Sequence, residues 1–119
     1  KIFGADIDSD ILFEDERITT FYCDQTNVDS ISKMFDSLRF LEFDIIIDDG
    51  LHTFEANRTF FESSINRLKN SGFYFIEDVL KSELYKWVDY FKKKNFKFII
   101  LVIPNKFNNY DNNLIIIRK

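Results

Sequence analysis

Hydrophobic positions along the chain change repeatedly between the spacing of strands and that of helices. Short apolar runs predict strands at residues 2–7, 18–22, 43–47, 73–76, 96–103 and 114–117. Three segments between them carry apolar residues three and four positions apart, which predicts three amphipathic helices. Asn27 and Thr53 are suitable N-caps for the first two helices, and Asn70–Ser71–Gly72 is a suitable end for the second.

This order of elements predicts the fold class. Strands that alternate with helices form right-handed βαβ units, in which helices cover both faces of a mainly parallel sheet. The last two predicted strands have no helix between them, so we expect a hairpin that places one antiparallel strand in the sheet. The sequence therefore predicts a single α/β domain over residues 1–119.

Composition and charge narrow the classes of function. The hydrophobic content of 45% and charged content of 30% are typical of a globular protein. A net charge of -4 without a basic stripe argues against a nucleic-acid partner. The single cysteine, Cys23, excludes an internal disulfide and is typical of a reducing compartment, and no apolar run is long enough to span a bilayer. We therefore expect a cytoplasmic protein with neither a nucleic-acid nor a membrane partner, and oligomerisation stays open.

Candidate chemistry lies where the predicted strands end. In open α/β sheets, ligands bind at the carboxyl ends of the strands, near the point where the strand order reverses. Four strands end in polar groups: Asp6-Ile7-Asp8, Cys23-Asp24-Gln25, Asp48-Asp49-Gly50-Leu51-His52 and Glu77-Asp78. The only histidine and all seven of these carboxylates are therefore expected at one edge of the sheet.

Each of these residues also has a purely structural interpretation. A carboxylate after a strand often caps the next helix, as Asp24 and Asp78 are placed to do. A lone histidine is more often structural than catalytic, although His52 follows a strand, an acidic pair and a glycine. The pairs Asp48-Asp49 and Glu77-Asp78 repel unless a cation or ligand neutralises them. Such oxygen ligands favour Mg²⁺, Ca²⁺ or Mn²⁺ over Zn²⁺. The acids at residues 14–16 are interpreted as loop charges.

The motifs at the strand ends resemble those of a known family. They are Phe-Gly-Ala-Asp-Ile at residues 3–7, Cys-Asp-Gln-Thr-Asn at 23–27, Phe-Asp-Ile-Ile-Ile-Asp-Asp-Gly-Leu-His at 43–52, and Gly-Phe-Tyr-Phe-Ile-Glu-Asp-Val at 72–79. Their combination is similar to class I S-adenosylmethionine-dependent methyltransferases, above all to the macrocin and mycinamicin sugar O-methyltransferases and the cephalosporin hydroxylase-like proteins. The resemblance implies a Rossmann-like methyltransferase sheet.

The resemblance also implies roles for cofactor-binding residues. Asp6 would accept hydrogen bonds from the ribose hydroxyls of S-adenosylmethionine, and Asp24 with Gln25 would lie near the adenine. Asp48 is assigned to the same cofactor-binding group. In the family, a first strand and a glycine-rich loop complete this pocket, and they would precede Lys1. The domain is therefore expected to be N-terminally truncated, with an incomplete cofactor pocket.

A metal site and a base follow from the same likeness. Asp49, Glu77 and Asp78 match the positions that hold Mg²⁺, or another hard divalent cation, in the sugar methyltransferases. His52 matches their general base. The implied activity is metal-assisted methylation of a hydroxyl on a sugar or glycosylated small molecule. Two alternatives stay open: a methyltransferase-like fold that binds the cofactor without this chemistry, and a non-catalytic α/β nucleotide-binding module.

Overall fold

The computed structural model describes residues 1–39 and 41–119 and confirms an α/β architecture. The helices are α1 (Val28–Ser37), α2 (Phe54–Ser64) and α3 (Leu84–Lys93). The strands are β1 (Ile2–Asp6), β2 (Glu14–Asp15), β3 (Ile18–Tyr22), β4 (Phe43–Asp48), β5 (Leu68–Ile76), β6 (Phe98–Val102) and β7 (Asn113–Arg118). Short 3₁₀ turns occupy Ser9–Ile11, Ile65–Arg67 and Lys81–Glu83.

The strands form two mixed sheets in the described residues, where the sequence predicted one. The first has the order β1-β3-β2, with β1 parallel and β2 antiparallel to β3. The second has the order β4-β5-β7-β6, in which β4 is parallel to β5 and β7 is antiparallel to both β5 and β6. Three of the four strands in the second sheet therefore share one direction, and the predicted antiparallel hairpin strand is β7.

Phenylalanine side chains join the two sheets on their covered side. Phe43 and Phe60 pack against two core clusters, one built on α2, α3 and the four-stranded sheet, the other on α1 and the end of β3. The ring of Phe3 in β1 lies 5.9 Å from that of Phe43 in β4, measured between centroids. The edges of β1 and β4 are thus neighbours, although they share no hydrogen-bonded ladder in the described residues.

The expectation that helices cover both faces is wrong for the described part of the chain. α2 and α3 pack on the side of the four-stranded sheet that carries Tyr74, and α1 joins them there through Phe35, which contacts Phe43 and Phe60. Successive side chains of a strand point to opposite faces, so the apolar run of β4 buries Ile46 and leaves Ile45 and Ile47 exposed. No helix in these residues is long and apolar enough to cross a membrane.

Two local elements differ from the predicted ones. β5 begins at Leu68 rather than at residue 73, because Leu68 pairs with Phe43 and the strand continues through the predicted helix stop. Gly72 lies inside this strand, where an added Cβ would be 2.9 Å from the carbonyl oxygen of Asp44. Glu14 and Asp15, interpreted as loop charges, pair with β3 as a two-residue edge strand and stay exposed.

Candidate active site

Three of the predicted site residues converge beyond the ends of β4 and β5. One ligand atom each of Asp49, His52 and Asp78 lies within 4.8 Å of the others. Asp48 of β4 pairs with Ile76 of β5 in parallel register, so the residues that follow the two strands leave the sheet side by side. The Nε2 atom of His52 is 3.1 Å from Oδ1 of Asp49. Sheet register therefore places one imidazole and two carboxylates in reach of a common ligand.

Two members of this group have left-handed backbone conformations. The φ angles of His52 and Asp78 are 60° and 47°. Residues with a Cβ adopt this region rarely, at a cost of order 1–3 kcal/mol, and such strain is found most often at functional sites. Hydrogen bonds hold the following residue in each case: Thr53 caps α2 through Ala56, and the Val79 amide donates to the Asn113 carbonyl at 2.9 Å. The two conformations are therefore imposed by the surrounding fold.

A buried carboxyl lies directly behind the cluster. Asp48 is only 3% exposed, and its Oδ1 accepts a hydrogen bond from Nε2 of Gln25. The other end of the Gln25 amide, Oε1, accepts from the Leu51 amide at 2.8 Å. We call this pair of bonds the Gln25 latch. It connects the end of β3 to the turn after β4, and so joins the two sheets at the site.

Asp48 is incompletely satisfied by these contacts. Burial raises its pKa to about 7, and the facing amides of Asn57 and Gln25 offset part of the rise. Oδ2 of Asp48 and Nδ2 of Asn57 are both buried and have no hydrogen-bond partner in the described residues. Asn57 was missed by the sequence reasoning, although its spacing from Phe54 and Phe61 puts it on the inner face of α2. The carboxyl of Asp48 is therefore buried with fewer hydrogen-bond donors than its two oxygens can accept.

The other predicted site residues lie at strand ends but outside this group. Oδ1 of Asp6 accepts from the Asp8 amide at 2.8 Å, and Oδ1 of Asp24 accepts from both the amide and the hydroxyl of Thr26. Glu77 follows β5, with its amide bonded to the Asp48 carbonyl at 2.9 Å, and its carboxylate is not part of the cluster. The cofactor-binding roles of Asp6, Asp24, Gln25 and Asp48 stay predictions.

An open cleft of about 450 Å³, which sequence reasoning did not find, is lined in part by the segment that follows Asp78. Its lining comes from the turn after β5 and from the loop between β6 and β7: Leu80, Lys81, Ser82, Asn109 and Tyr110. Five asparagines within nine residues, at positions 105–113, were the available signal.

Comparisons with known proteins find sequence relatives among O-methyltransferases. No family model matches the chain. The chain is 37% identical over 78 residues to demethylmacrocin O-methyltransferase of Streptomyces fradiae, a match that covers 66% of the chain and 19% of the relative. It is 33% identical over 79 residues to mycinamicin VI 2''-O-methyltransferase of Micromonospora griseorubida, again 66% and 19%. The chain thus spans about a fifth of the length of the curated relatives it matches.

Solved structures show the same likeness at the level of the fold. The MycE methyltransferase of the mycinamycin biosynthetic pathway, solved in complex with Mg, SAH and mycinamycin VI, superposes with a TM-score of 0.66. The identity is 22%, over 98% of this chain and 36% of that one. The fold therefore resembles that of this methyltransferase. The predicted resemblance to the sugar O-methyltransferases is confirmed.

Proposed function

We propose that this chain is part of an S-adenosylmethionine-dependent O-methyltransferase that is assisted by a divalent cation and methylates a hydroxyl of a sugar or glycosylated small molecule. The observation that carries the proposal is the convergence of Asp49, His52 and Asp78 at the strand ends. The named activities of the relatives support the substrate class, and the Mg and SAH bound to MycE support the cofactors.

The residues at the site fit a hard cation. Asp49 and Asp78 offer carboxylate oxygens, the ligands preferred by Mg²⁺. We assign the cation to Asp49 and Asp78, and Glu77, which adjoins Asp78 but lies outside the group, stays a predicted third ligand. A bound cation lowers the pKa of a coordinated hydroxyl and orients it.

In this proposal, His52 takes the proton of that hydroxyl. A carboxylate can only accept hydrogen bonds, so the 3.1 Å contact with Asp49 requires the proton of the neutral imidazole on Nε2. Nδ1 is then the basic nitrogen, and it makes no hydrogen bond within the described residues. Proton removal by a positioned base contributes about 10²–10⁴-fold to a rate. S-adenosylmethionine supplies an already activated methyl group, so the remaining task of the protein is alignment.

We further propose that the complete sheet contains one more strand, between β1 and β4, followed by the glycine-rich loop of the cofactor pocket. In the described residues, β1 pairs only with β3, and β4 pairs only with β5. Their free edges are neighbours, because Phe3 contacts Phe43 and Gln25 reaches Asp48. Hydrogen exchange tests this inference: amides on the gap-facing edges of β1 and β4 are expected to be protected in the whole protein. Fast exchange at both edges would contradict it.

Isothermal calorimetry tests the activity in two steps. The whole protein, which includes the proposed additional strand and glycine-rich loop, is expected to bind S-adenosylmethionine, and to bind Mg²⁺ with an affinity that Asp49→Asn and Asp78→Asn each lower at least tenfold. Asp89→Asn, an exposed acid on α3 paired with Lys93, is the control and should leave both affinities unchanged. Glu77→Gln tests the predicted third ligand: a lowered Mg²⁺ affinity would support it, and an unchanged affinity would exclude it. If the protein binds neither S-adenosylmethionine nor Mg²⁺, the proposal is overturned. Cofactor binding without methylation of any sugar would favour a non-methylating role.

A further inference from the structure

The loop between β6 and β7 is hydrogen-bonded to the segment that follows Asp78, one of the proposed cation ligands. This β6–β7 loop comprises residues 103–112. Lys81, three residues after Asp78, donates its amide hydrogen to the Tyr110 carbonyl at 2.6 Å. Asn113 at the start of β7 bonds Val79 twice, accepting from its amide at 2.9 Å and donating from Nδ2 to its carbonyl at 2.7 Å. The loop therefore has a fixed position beside the residue that follows Asp78.

Most asparagine side chains of this segment are used by the fold. Asn105 and Asn108 accept hydrogen bonds from the amides of Phe107 and Tyr110, and Asn108 also donates to Asp111. Asn112 donates to the Ile103 carbonyl at 2.8 Å. Asn109 differs from these residues, because its side chain makes no hydrogen bond within residues 1–39 and 41–119. An amide with two donor hydrogens and an acceptor oxygen is thus available to a ligand.

The free Asn109 amide faces a cleft with a distinctive lining. Asn109 and Lys81 line both the 450 Å³ cleft and a second cleft of about 250 Å³ next to it. Ser82 and Tyr110 add two hydroxyls, and Tyr110 is 79% exposed, so its ring presents a flat apolar face to solvent. The lining residues of the two clefts include one cation and no carboxylate.

This combination matches the surface of a neutral sugar ring. Hydroxyl groups both donate and accept hydrogen bonds, as do the amide of Asn109 and the hydroxyls of Ser82 and Tyr110. The C–H face of a pyranose packs on an aromatic ring, whose body is apolar while its rim is polar. A phosphate or carboxylate ligand would instead find a single ammonium group and no guanidinium fork.

We infer that the sugar of the acceptor is recognised by the β6–β7 loop, with Asn109 and Tyr110 as the specificity-determining residues and Lys81 and Ser82 completing the cleft. This inference deepens the proposed function and rests on it for the identity of the reacting hydroxyl. The anchoring of the loop next to Asp78 would hold one hydroxyl of the ring at the cation site while the rest of the ring lies on Tyr110.

Saturation-transfer difference NMR tests the inference without requiring methyl transfer. The probes are methyl α-L-rhamnopyranoside and methyl β-D-glucopyranoside, titrated into the protein and four variants. Asn109→Ala and Tyr110→Ala are each expected to raise the Kd of at least one glycoside by about threefold to tenfold, as expected for the loss of one hydrogen bond or one ring contact. The matched controls are Asn70→Ala, exposed at the start of β5, and Phe107→Ala, an aromatic residue of the same loop that lines neither cleft.

The outcomes separate this inference from the proposed function. Unchanged Kd values in the controls with raised values in both test variants support it. Wild-type protein that binds neither glycoside, or equal Kd values across all five proteins, overturns it. Calorimetry with S-adenosylmethionine and Mg²⁺ on the same samples reports the proposed function independently, so either can fail while the other stands.

Discussion

Gly50 allows an incisive test of the Gln25 latch. An added Cβ at Gly50 would lie 2.7 Å from Cδ of Gln25 and 2.9 Å from its Nε2, and its three nearest neighbours are all atoms of this one side chain. The φ angle of Gly50 is not positive, so alanine is not strained at this position by its own backbone. Gly50→Ala should therefore act only by pushing Gln25 away from Asp48 and Leu51.

The magnitude follows from the two bonds of the latch. At pH 8 most Asp48 side chains are ionised, given the pKa of about 7, and a hydrogen bond to a charged group contributes about 1.5–3 kcal/mol. The bond from the Leu51 amide adds about 1 kcal/mol. Gln25→Ala should thus lower the free energy of unfolding by about 3 kcal/mol. Gly50→Ala should cost up to the same amount, since the displaced side chain makes neither bond.

The double variant Gln25→Ala/Gly50→Ala tests whether Gly50→Ala acts through the Gln25 side chain. When Gln25 is replaced by alanine, the side-chain atoms that would clash with the Cβ of Gly50→Ala are absent. In that background Gly50→Ala should be neutral or stabilising by about 0.5 kcal/mol. Urea denaturation of the four proteins at pH 8 gives the coupling free energy, expected to be about 2–3 kcal/mol. If Gly50→Ala costs as much without the glutamine as with it, the latch is not what Gly50 protects.

Three further outcomes follow from burial and charge. Because burial raises the pKa of Asp48 to about 7, the folded protein holds this proton more tightly than the unfolded chain. In metal-free protein this contribution to stability is complete below pH 4 and is lost as the pH rises to 8, by up to about 4 kcal/mol. Asp48→Asn should flatten the dependence of the unfolding free energy on pH, measured by urea titration. An unchanged pH dependence in this variant would contradict the assignment of the effect to Asp48. Phe61→Ala should cost about 3–5 kcal/mol, against less than about 0.5 kcal/mol for the exposed Phe107→Ala, by the same assay. Mg²⁺ at about 100 times its Kd should stabilise the protein by about 2.7 kcal/mol in thermal melts, and at the same Mg²⁺ concentration this gain should fall to about 1.4 kcal/mol or less in Asp78→Asn.

Local signals predicted most elements of the fold correctly. β1, β3 and β4 lie within a residue of the predicted runs, because short apolar stretches bounded by polar residues mark them clearly. Asn27 and Thr53 cap their helices as predicted, since a side-chain oxygen next to free amides has a definite role. β5 was placed too late because Asn70–Gly72 matches a helix stop, and only the pairing of Leu68 with Phe43 reveals a strand there.

Tertiary arrangement was less accessible to sequence reasoning. The run Ile45–Ile47 indicates a strand buried on both faces, yet two of its three side chains are more than half exposed. Apolar composition shows that a face is suited to burial, but not which part of the molecule covers it. The division into two sheets was likewise invisible, because strand order depends on contacts between residues far apart in the chain.

The acidic pairs explain why the sequence predicted more ligands than the cluster contains. Neighbouring residues at a strand end point in different directions, so the two acids of a pair rarely meet the same ligand. Asp48 follows the buried face of β4 set by Ile46 and turns into the core, which leaves Asp49 to the cluster. At the end of β5, Asp78 is the acid that joins the cluster, and its φ of 47° redirects the chain after Glu77. From the sequence, one acid of the first pair, Asp49, was assigned to the metal, as were both acids of the second pair, Glu77 and Asp78. The residue types at 52 and 78 did not indicate the left-handed turns that the structure has there.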